Sequence, residues 1–238
     1  SPLPSPLPSP LPSSSLPSPL PSVSSMPTQF ADSCNVSTSI QLKQAVEVLT
    51  CSTVFLMNGF TMKLKVTVSK RSELPSGVSV VGVNNPILDA DFEVSHFEVE
   101  VGARLSLIGL TLINGYATDY GGTVTVRRGA YLYLERSQIL FSYAKSYGGA
   151  VYSNYATVVA NATRFENCSA ATDSGRGGAL AVFYGNLTLE STSLVGNEAF
   201  YGGAMFVYSG DEKALNGTRA YLTISRSNFL KSTAKIGR

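Results

Sequence analysis

Three observations predict an all-β fold, a single-stranded parallel β-helix with three strands and about 27 residues per coil. The first is a repeat. Between Leu110 and Ala234 one motif recurs as LTLINGYA, SQILFSYA, TRFENCSA, TSLVGNEA and SNFLKSTA. Four copies are followed by a glycine pair, at Gly121-Gly122, Gly148-Gly149, Gly177-Gly178 and Gly202-Gly203, in steps of 27, 29 and 25 residues. A near-constant period of this size marks a solenoid. The second is period-two alternation. Each pair is followed by a run with apolar or small residues at alternate places (Val124 and Val126, Val151 and Ser153, Leu180 and Val182, Met205 and Val207), then by a second run (Leu132 and Leu134, Val158 and Ala160, Leu187 and Leu189, Leu222 and Ile224). A single bulky residue serves as the third, at Leu112, Ile139, Phe165, Leu194 and Phe229. Short alternating runs bounded by Gly, Asn and Ser read as strands and not as helix. The third is laddering. Small residues recur before one turn (Gly115, Ser142, Cys168, Asn197, Ser232) and alanine closes it (Ala117, Ala144, Ala170, Ala199, Ala234), as expected where coils about 4.8 Å apart pass closely under one another.

The glycine pair followed by alanine and an aliphatic residue (GGAV from 148, GGAL from 177, GGAM from 202), with a later F-x-x-N-type turn, resembles the repeats of the polymorphic outer-membrane proteins. Those are bacterial surface adhesins within the wider pectin-lyase-like β-helix group, and similar repeats occur in eukaryotic surface proteins. The likeness runs from Phe97 to Arg238. It departs from the pattern at the first pair, which begins GGTV, at Leu194 to Asn197, where leucine replaces the aromatic, and at Phe165 to Cys168, where cysteine replaces the asparagine. The resemblance implies a right-handed β-helix and a role in adhesion.

In chain order, residues 1–29 carry proline at every second or third place, which removes backbone donors and fixes φ. A Ser/Pro-rich disordered or polyproline II stalk or linker is expected there. Such runs resemble the stalks of extracellular matrix glycoproteins in green algae and plants; the competing reading is a docking site for a proline-recognising domain. Residues 30–52 are expected as an N-terminal cap with a helix over 38–49, which puts Ile40, Leu42, Ala45, Val46 and Leu49 on one face and Ser37 or Thr38 at the N-cap. The open end of a solenoid exposes strand edges, so a cap has a purpose. A disulfide between Cys34 and Cys51 would pin that cap to the first coil and leave Cys168 as a buried thiol. Cysteine counting keeps other pairings open, including three free thiols in a reducing compartment. The β-helix is expected over 53–238 and beyond. Its first coils are irregular, with Pro75, Gly77, Gly82 and Asn84-Asn85-Pro86 between strands, and Phe97, Val99 and Val101 alternate with outward Glu98 and Glu100.

Composition narrows the functions. A net charge of +2 with 14% charged residues gives no electrostatic case for nucleic acid. Lys63, Lys65, Lys70 and Arg71 form a mild basic cluster, read as a solvated face or loop. No apolar run approaches the ~18 residues of a membrane span. Five sequons, at Asn35, Asn161, Asn167, Asn186 and Asn216, are candidate glycosylation sites, the last in an insertion, GDEKALNGTR, that lengthens the fourth unit. With the stalk and the disulfide they favour a eukaryotic secretory route and an extracellular, cell-wall or cell-surface location.

A calcium-assisted polysaccharide lyase needs clustered carboxylates and a basic proton acceptor. The candidates are Asp89, Asp91, Glu93, Glu98 and Glu100 with Arg127 and Arg128. They read more simply as a solvated acidic edge plus a Glu100–Arg127 ladder pair, 27 residues apart with Asn154 next. The W-x-D-H run of lyases and the N-T-D, D-D and G-H-G series of galacturonan hydrolases are absent from a chain without tryptophan. His96, the only histidine, is expected at a turn or facing outward. No Cys and His spacing suggests zinc, and glycine pairs one coil apart are not a phosphate loop. Asp119 and Asp173 precede glycine pairs, with no calcium repeat between them. No catalytic residue, metal or cofactor is therefore assigned. The binding candidates are Tyr120, Tyr147, Arg176 and Tyr201, which each precede a glycine pair and form a column with a guanidinium inserted, alongside outward Tyr131, Tyr133 and Tyr221. They offer stacking platforms for sugar rings or a protein partner, or simply cover the turns. The expectation is a monomeric, non-enzymatic secreted or surface protein in adhesion or cell-wall contact, with polysaccharide or a surface protein as partner. The alternatives are an extracellular polysaccharide lyase or hydrolase, and a wall component without a specific ligand.

Overall fold

The computed structural model describes residues 33–48, 51–72, 74–210 and 220–235. The stalk expected at 1–29, Leu49 of the expected helix, and Asn216 with most of its insertion lie outside these. The described residues form a parallel β-solenoid in which each strand pairs with the equivalent strand of the coil before and after it. In one coil the strands are Tyr131–Glu135, Gln138–Leu140, Tyr143–Ala144 and Val151–Asn154. Repeated coil by coil, they build sheets of eight, seven, five and six strands respectively. Three strands per coil match the alternating runs. The five-stranded sheet is an addition, because a two-residue strand is too short to show a period.

Register fixes the ladders. Phe97, Val124, Val151, Leu180 and Met205 stack in the six-stranded sheet, in steps of 27, 27, 29 and 25 residues. Leu105, Leu132, Val158 and Leu187 stack in the eight-stranded sheet, and Leu112, Ile139, Phe165 and Leu194 in the seven-stranded one. All of these except Met205 are buried, and each such apolar side chain contributes roughly 1.5–3 kcal/mol by leaving water. At the corner between the eight- and seven-stranded sheets, Arg136, Ala162, Ser191 and Arg226 take left-handed φ of 47–50°. The residue that follows supplies a buried hydroxyl that answers the carbonyls of the tight turn: Ser137 Oγ donates to Glu135 O at 3.0 Å, Thr163 Oγ1 to Asn161 O at 2.9 Å and Thr192 Oγ1 to Glu190 O at 3.0 Å. The ladder before the five-stranded sheet is bonded likewise. Asn197 Nδ2 donates to Phe165 O at 3.1 Å, and its Oδ1 accepts from Cys168 N at 3.0 Å.

The cap is more than a helix. Ser33–Val36 is the first strand of the eight-stranded sheet, paired with Thr53–Leu56, and the Cys34–Cys51 disulfide, with Cα atoms 6.0 Å apart, ties it down. The helix runs over Ser39–Glu47, with the Thr38 hydroxyl accepting from Gln41 N at 3.2 Å and Gln41 Oε1 accepting from Ser37 N at 2.9 Å. Leu42, Ala45 and Val46 are buried; Ile40, expected on the same face, is 61% exposed because it lies in the first turn on the solvent side. The helix also serves the edge strand Val66–Val68. Glu47 Oε1 accepts from Thr67 N at 2.7 Å, and Lys43 Nζ donates to Lys65 O at 3.1 Å, so side chains satisfy backbone groups that would otherwise invite another strand.

Two kinds of glycine can be told apart. A Cβ at Gly149 would lie 2.2 Å from Gly178 O and 2.5 Å from both Ser169 N and Ser169 O, all backbone. Gly129 has φ +69° with nothing closer than 3.9 Å, and Tyr155 and Tyr184 hold left-handed φ at the corresponding corner of later coils. Gly129→Ala should therefore cost about 1 kcal/mol, the left-handed penalty of a β-carbon, and Gly149→Ala on the order of 3 kcal/mol, by forcing coils apart. Urea midpoints of the two variants decide this; equal losses would mean that backbone conformation, and not close approach, selects the glycine pair.

Candidate functional site

The outer surface of the six-stranded sheet and its two corners carries the densest array of aromatic side chains. Alternation turns Val151, Leu180 and Met205 inward, so Tyr152 and Phe206 on two of these strands point out, with Phe183 and Tyr208 at the strand ends. Ahead of each strand, backbone bridges link Tyr120 to Tyr147, Tyr147 to Arg176 and Arg176 to Tyr201, which makes the expected column continuous. The Tyr120 and Tyr147 rings stack at 5.3 Å and 8°. Tyr152 lies against Tyr120 at 4.7 Å, and Phe183 against Tyr147 at 5.2 Å. Arg176 sits among Tyr147, Tyr201 and Phe206, at 5.6, 5.7 and 5.1 Å from their centroids, in cation–π geometry. Tyr152 is 9% exposed and burial pushes its phenol pKa up, whereas Tyr120 and Tyr201 are 39% and 36% exposed. The array thus has a packed inner row and an accessible outer one. The inner row does not announce itself in the sequence, because Thr125, Tyr152, Ala181 and Phe206 share no residue type; only the outward parity of each run signals it.

At the first end of the column, Tyr116 and Tyr120 face a cleft of about 400 Å³ that also holds Lys65, Glu93, Glu98, Asp119 and Arg127. Its floor is an ion network. Glu98 Oε1 accepts from Arg127 Nε at 2.9 Å and Nη2 at 2.7 Å, while Glu98 Oε2 accepts from Lys65. Burial opposes ionisation of Glu98, but the hydrogen bonds from Lys65 and Arg127 outweigh it and hold its pKa below the ordinary value. The expected Glu100–Arg127 pair is therefore corrected. The Arg127 side chain reaches back along its own sheet face to Glu98, and Glu100 instead accepts from Ser69 Oγ at 2.6 Å.

The other acidic candidates do not gather. Asp89 ends a strand of the seven-stranded sheet and accepts from Asn114 Nδ2 at 2.9 Å and Asp91 N at 2.8 Å. Asp91 and Glu93 lie in the following turn against Lys63, at 3.7 and 3.2 Å. Asp89 and Glu98 belong to different sheets, and among the described residues no group of three His, Cys, Asp or Glu is placed to hold a metal. Cys168 is a buried thiol, 3.4 Å from Glu166 O, and burial pushes its pKa up to about 12. Of the sequons, Asn35, Asn167 and Asn186 are exposed and Asn161 is half-buried.

Compared with family models, with curated proteins and with solved structures, the chain matches none.

His96 corrects a further expectation. It is fully buried, next in the ladder to Thr123, because the residue before each strand of the six-stranded sheet turns into the core. Its Nε2 lies 2.9 Å from Leu88 O, its Nδ1 has no partner, and the ring occupies space that a Cβ on Gly115 would enter. Burial lowers its pKa from 6.5 to about 4, against weaker opposition from Leu88 O and the Asp89 charge. Because the folded pKa lies below the unfolded one, the stability from the neutral ring is complete above about pH 6.5 and is lost as pH falls towards and past 4. The loss amounts to roughly 3 kcal/mol. Unfolding free energies measured across this window should lose that component in His96→Thr; an unchanged pH slope in the variant would contradict the burial of a neutral imidazole.

Proposed function

We propose that this chain is a secreted or cell-surface β-helix repeat protein that makes adhesive or cell-wall contact, without catalysis, through the aromatic side of its six-stranded sheet. The observation that carries this reading is the Tyr120–Tyr147–Arg176–Tyr201 column with Tyr152, Phe183 and Phe206 packed beside it. Rings spaced by the coil repeat of about 4.8 Å suit an extended glycan, whose sugar faces recur at a comparable advance and stack on aromatic planes. The packed inner row holds the outer rings in place, so little side-chain entropy is lost on binding. The Cys34–Cys51 disulfide suits an oxidising compartment, and the Ser/Pro-rich segment and exposed sequon asparagines suit the same route. The likeness of the GGA repeats to those of the polymorphic outer-membrane proteins adds to the adhesive reading.

One observation favours an enzyme instead: the cleft beside Tyr120 holds Glu98, Glu93 and Asp119. Against it, Glu98 is committed to two cations and its lowered pKa makes it a weak base. Release of unsaturated or reducing ends from pectic polysaccharide, abolished by Glu98→Gln, would establish the enzyme reading.

For the binding reading, affinity electrophoresis against a panel of neutral and acidic cell-wall polysaccharides separates the faces. Tyr147→Ala with Tyr201→Ala should weaken retention by about tenfold or more. Tyr133→Ala, on the eight-stranded sheet, should leave it unchanged. Equal retention of the two variants would remove the column as the binding site.

A further inference from the structure

We propose that the corner between the six- and eight-stranded sheets is an oxyanion site, which takes the sulfate or carboxylate groups of an acidic polysaccharide lying along the solenoid axis. The inference rests on the reading of this side of the molecule as a polysaccharide-binding surface and names the class of polysaccharide. The sequence cluster Lys63, Lys65, Lys70 and Arg71 divides in the fold. Lys63 and Lys65 are paired with Asp91, Glu93 and Glu98. Lys70 and Arg71 turn the other way and meet Arg104 of the next coil across a cleft of about 430 Å³, with Arg128 one coil further on, its carbonyl accepting from Gly102 N at 3.1 Å.

Among the described residues no carboxylate lines this cleft, and Lys70, Arg71, Arg104 and Arg128 make no ion pair, although Arg127, Arg136, Arg164, Arg226 and Lys235 do. Arg71 gives Nη2 to Glu47 O, while its buried Nη1 has no acceptor. Two described acids lie beside it, Glu100, which is bonded to Ser69, and Glu47, whose carboxylate is bonded to Lys43 and Thr67 N; counting both, and Glu73 from outside the described residues, still leaves a positive excess. Glycine shapes the cleft: a Cβ on Gly77 would strike Arg104 Cβ at 2.4 Å, and one on Gly102 would lie 3.2 Å from Lys70 Cδ, so the bases lie across bare backbone. Four cations on three successive coils, with no ion pair among the described residues, repel one another, and bound oxyanions relieve that repulsion while accepting forked guanidinium hydrogen bonds.

The same corner then becomes aromatic. Arg128 lies 5.5 Å over Tyr155, which stacks on Tyr184 at 4.6 Å, with Tyr208 edge-on to Tyr184 at 5.5 Å; Arg104 lies 5.4 Å over Tyr131. Cations on the early coils lead into rings on the later ones. An acidic sugar chain offers both partners, charged groups and flat apolar ring faces, in one linear ligand. A lone phosphate or a flat anionic membrane would use the cations and leave the rings idle.

The test is binding of the full 238-residue chain to dextran sulfate, polygalacturonate, unsubstituted dextran, duplex DNA and vesicles of one-third phosphatidylserine. Four proteins are compared: the wild type, Lys70→Gln/Arg104→Gln/Arg128→Gln, a charge-matched control Lys145→Gln/Lys231→Gln/Lys235→Gln, and Tyr147→Ala/Tyr201→Ala. Arg71 is left alone because it holds the cap. The expected result is salt-sensitive binding of dextran sulfate or polygalacturonate that the corner variant weakens by about tenfold or more and the control does not. Which of the two binds more tightly assigns the site to sulfate or to carboxylate. Equal loss in the corner and control variants would overturn the site, leaving only overall charge. Equally tight binding of DNA or vesicles would overturn the polysaccharide assignment. Binding of unsubstituted dextran alone, lost in the tyrosine variant and unchanged in the corner variant, would overturn this proposal while keeping the lateral-face reading. Absence of binding to every polysaccharide would overturn both.

Discussion

The hydrogen bonds between successive coils are the constraint on which the rest depends, and they continue through the corners. Gly122 N, Gly149 N and Gly178 N donate to the first glycine of the next pair at 3.3, 3.2 and 3.3 Å, and Tyr155 N donates to Phe183 O at 2.8 Å. Turns that bond to turns leave no slack, so each position stands over its counterpart one coil away. The coil-to-coil distance is then a property of the backbone, about 4.8 Å, and side chains must accept it. Glycine at the second place of each pair meets this demand directly, since its absent side chain is where the neighbouring carbonyl lies.

Stacking each position on itself restricts the chemistry that the surface and core can carry. Apolar groups stack freely inside. Buried hydroxyls are tolerated where each has a carbonyl of its own turn, as at Ser137, Thr163 and Thr192. Outside, opposite charges meet across coils, at Glu98 with Arg127, Glu190 with Arg226 and Glu198 with Lys235. Rings meet rings, and Arg176 enters a tyrosine column because a guanidinium plane stacks as a ring does. The cations at the corner between the six- and eight-stranded sheets, which make no ion pair among the described residues, break this rule. Sites that break a local rule without internal compensation are where a ligand is expected to supply it.

Much of the architecture was legible because a solenoid writes its fold as a period. The glycine pairs, the alternating runs and the small-residue ladder gave the strand stacking, and Cys34 and Cys51 on either side of an amphipathic segment gave the pinned cap. The rest was hidden for physical reasons. Strand Ser33–Val36 precedes the first repeat, so no period announces it. His96 looked like a surface residue because it replaces the alanine of GGA, and only the register shows that this place faces inward. Sequence distance matches Arg127 with Glu100, yet a long side chain chooses partners by reach, and its guanidinium bonds Glu98. The column Tyr120, Tyr147, Arg176 and Tyr201 was readable from its fixed place before the glycines. The packed row of Tyr152, Phe183 and Phe206 beside it, and the division of the basic cluster, depended on which way each strand faces.

We propose the ordered aromatic side of the six-stranded sheet as the surface that meets a polysaccharide. Ring-selective ¹³C labelling of tyrosine, with the two-dimensional spectrum followed as soluble cell-wall oligosaccharides are added, reads that surface directly. Saturable shifts are expected at Tyr120, Tyr147 and Tyr201, smaller ones at the packed Tyr152, and none at Tyr133 on the eight-stranded sheet. A spectrum in which Tyr133 moves and the column does not, or in which no ring responds to any oligosaccharide, would contradict it.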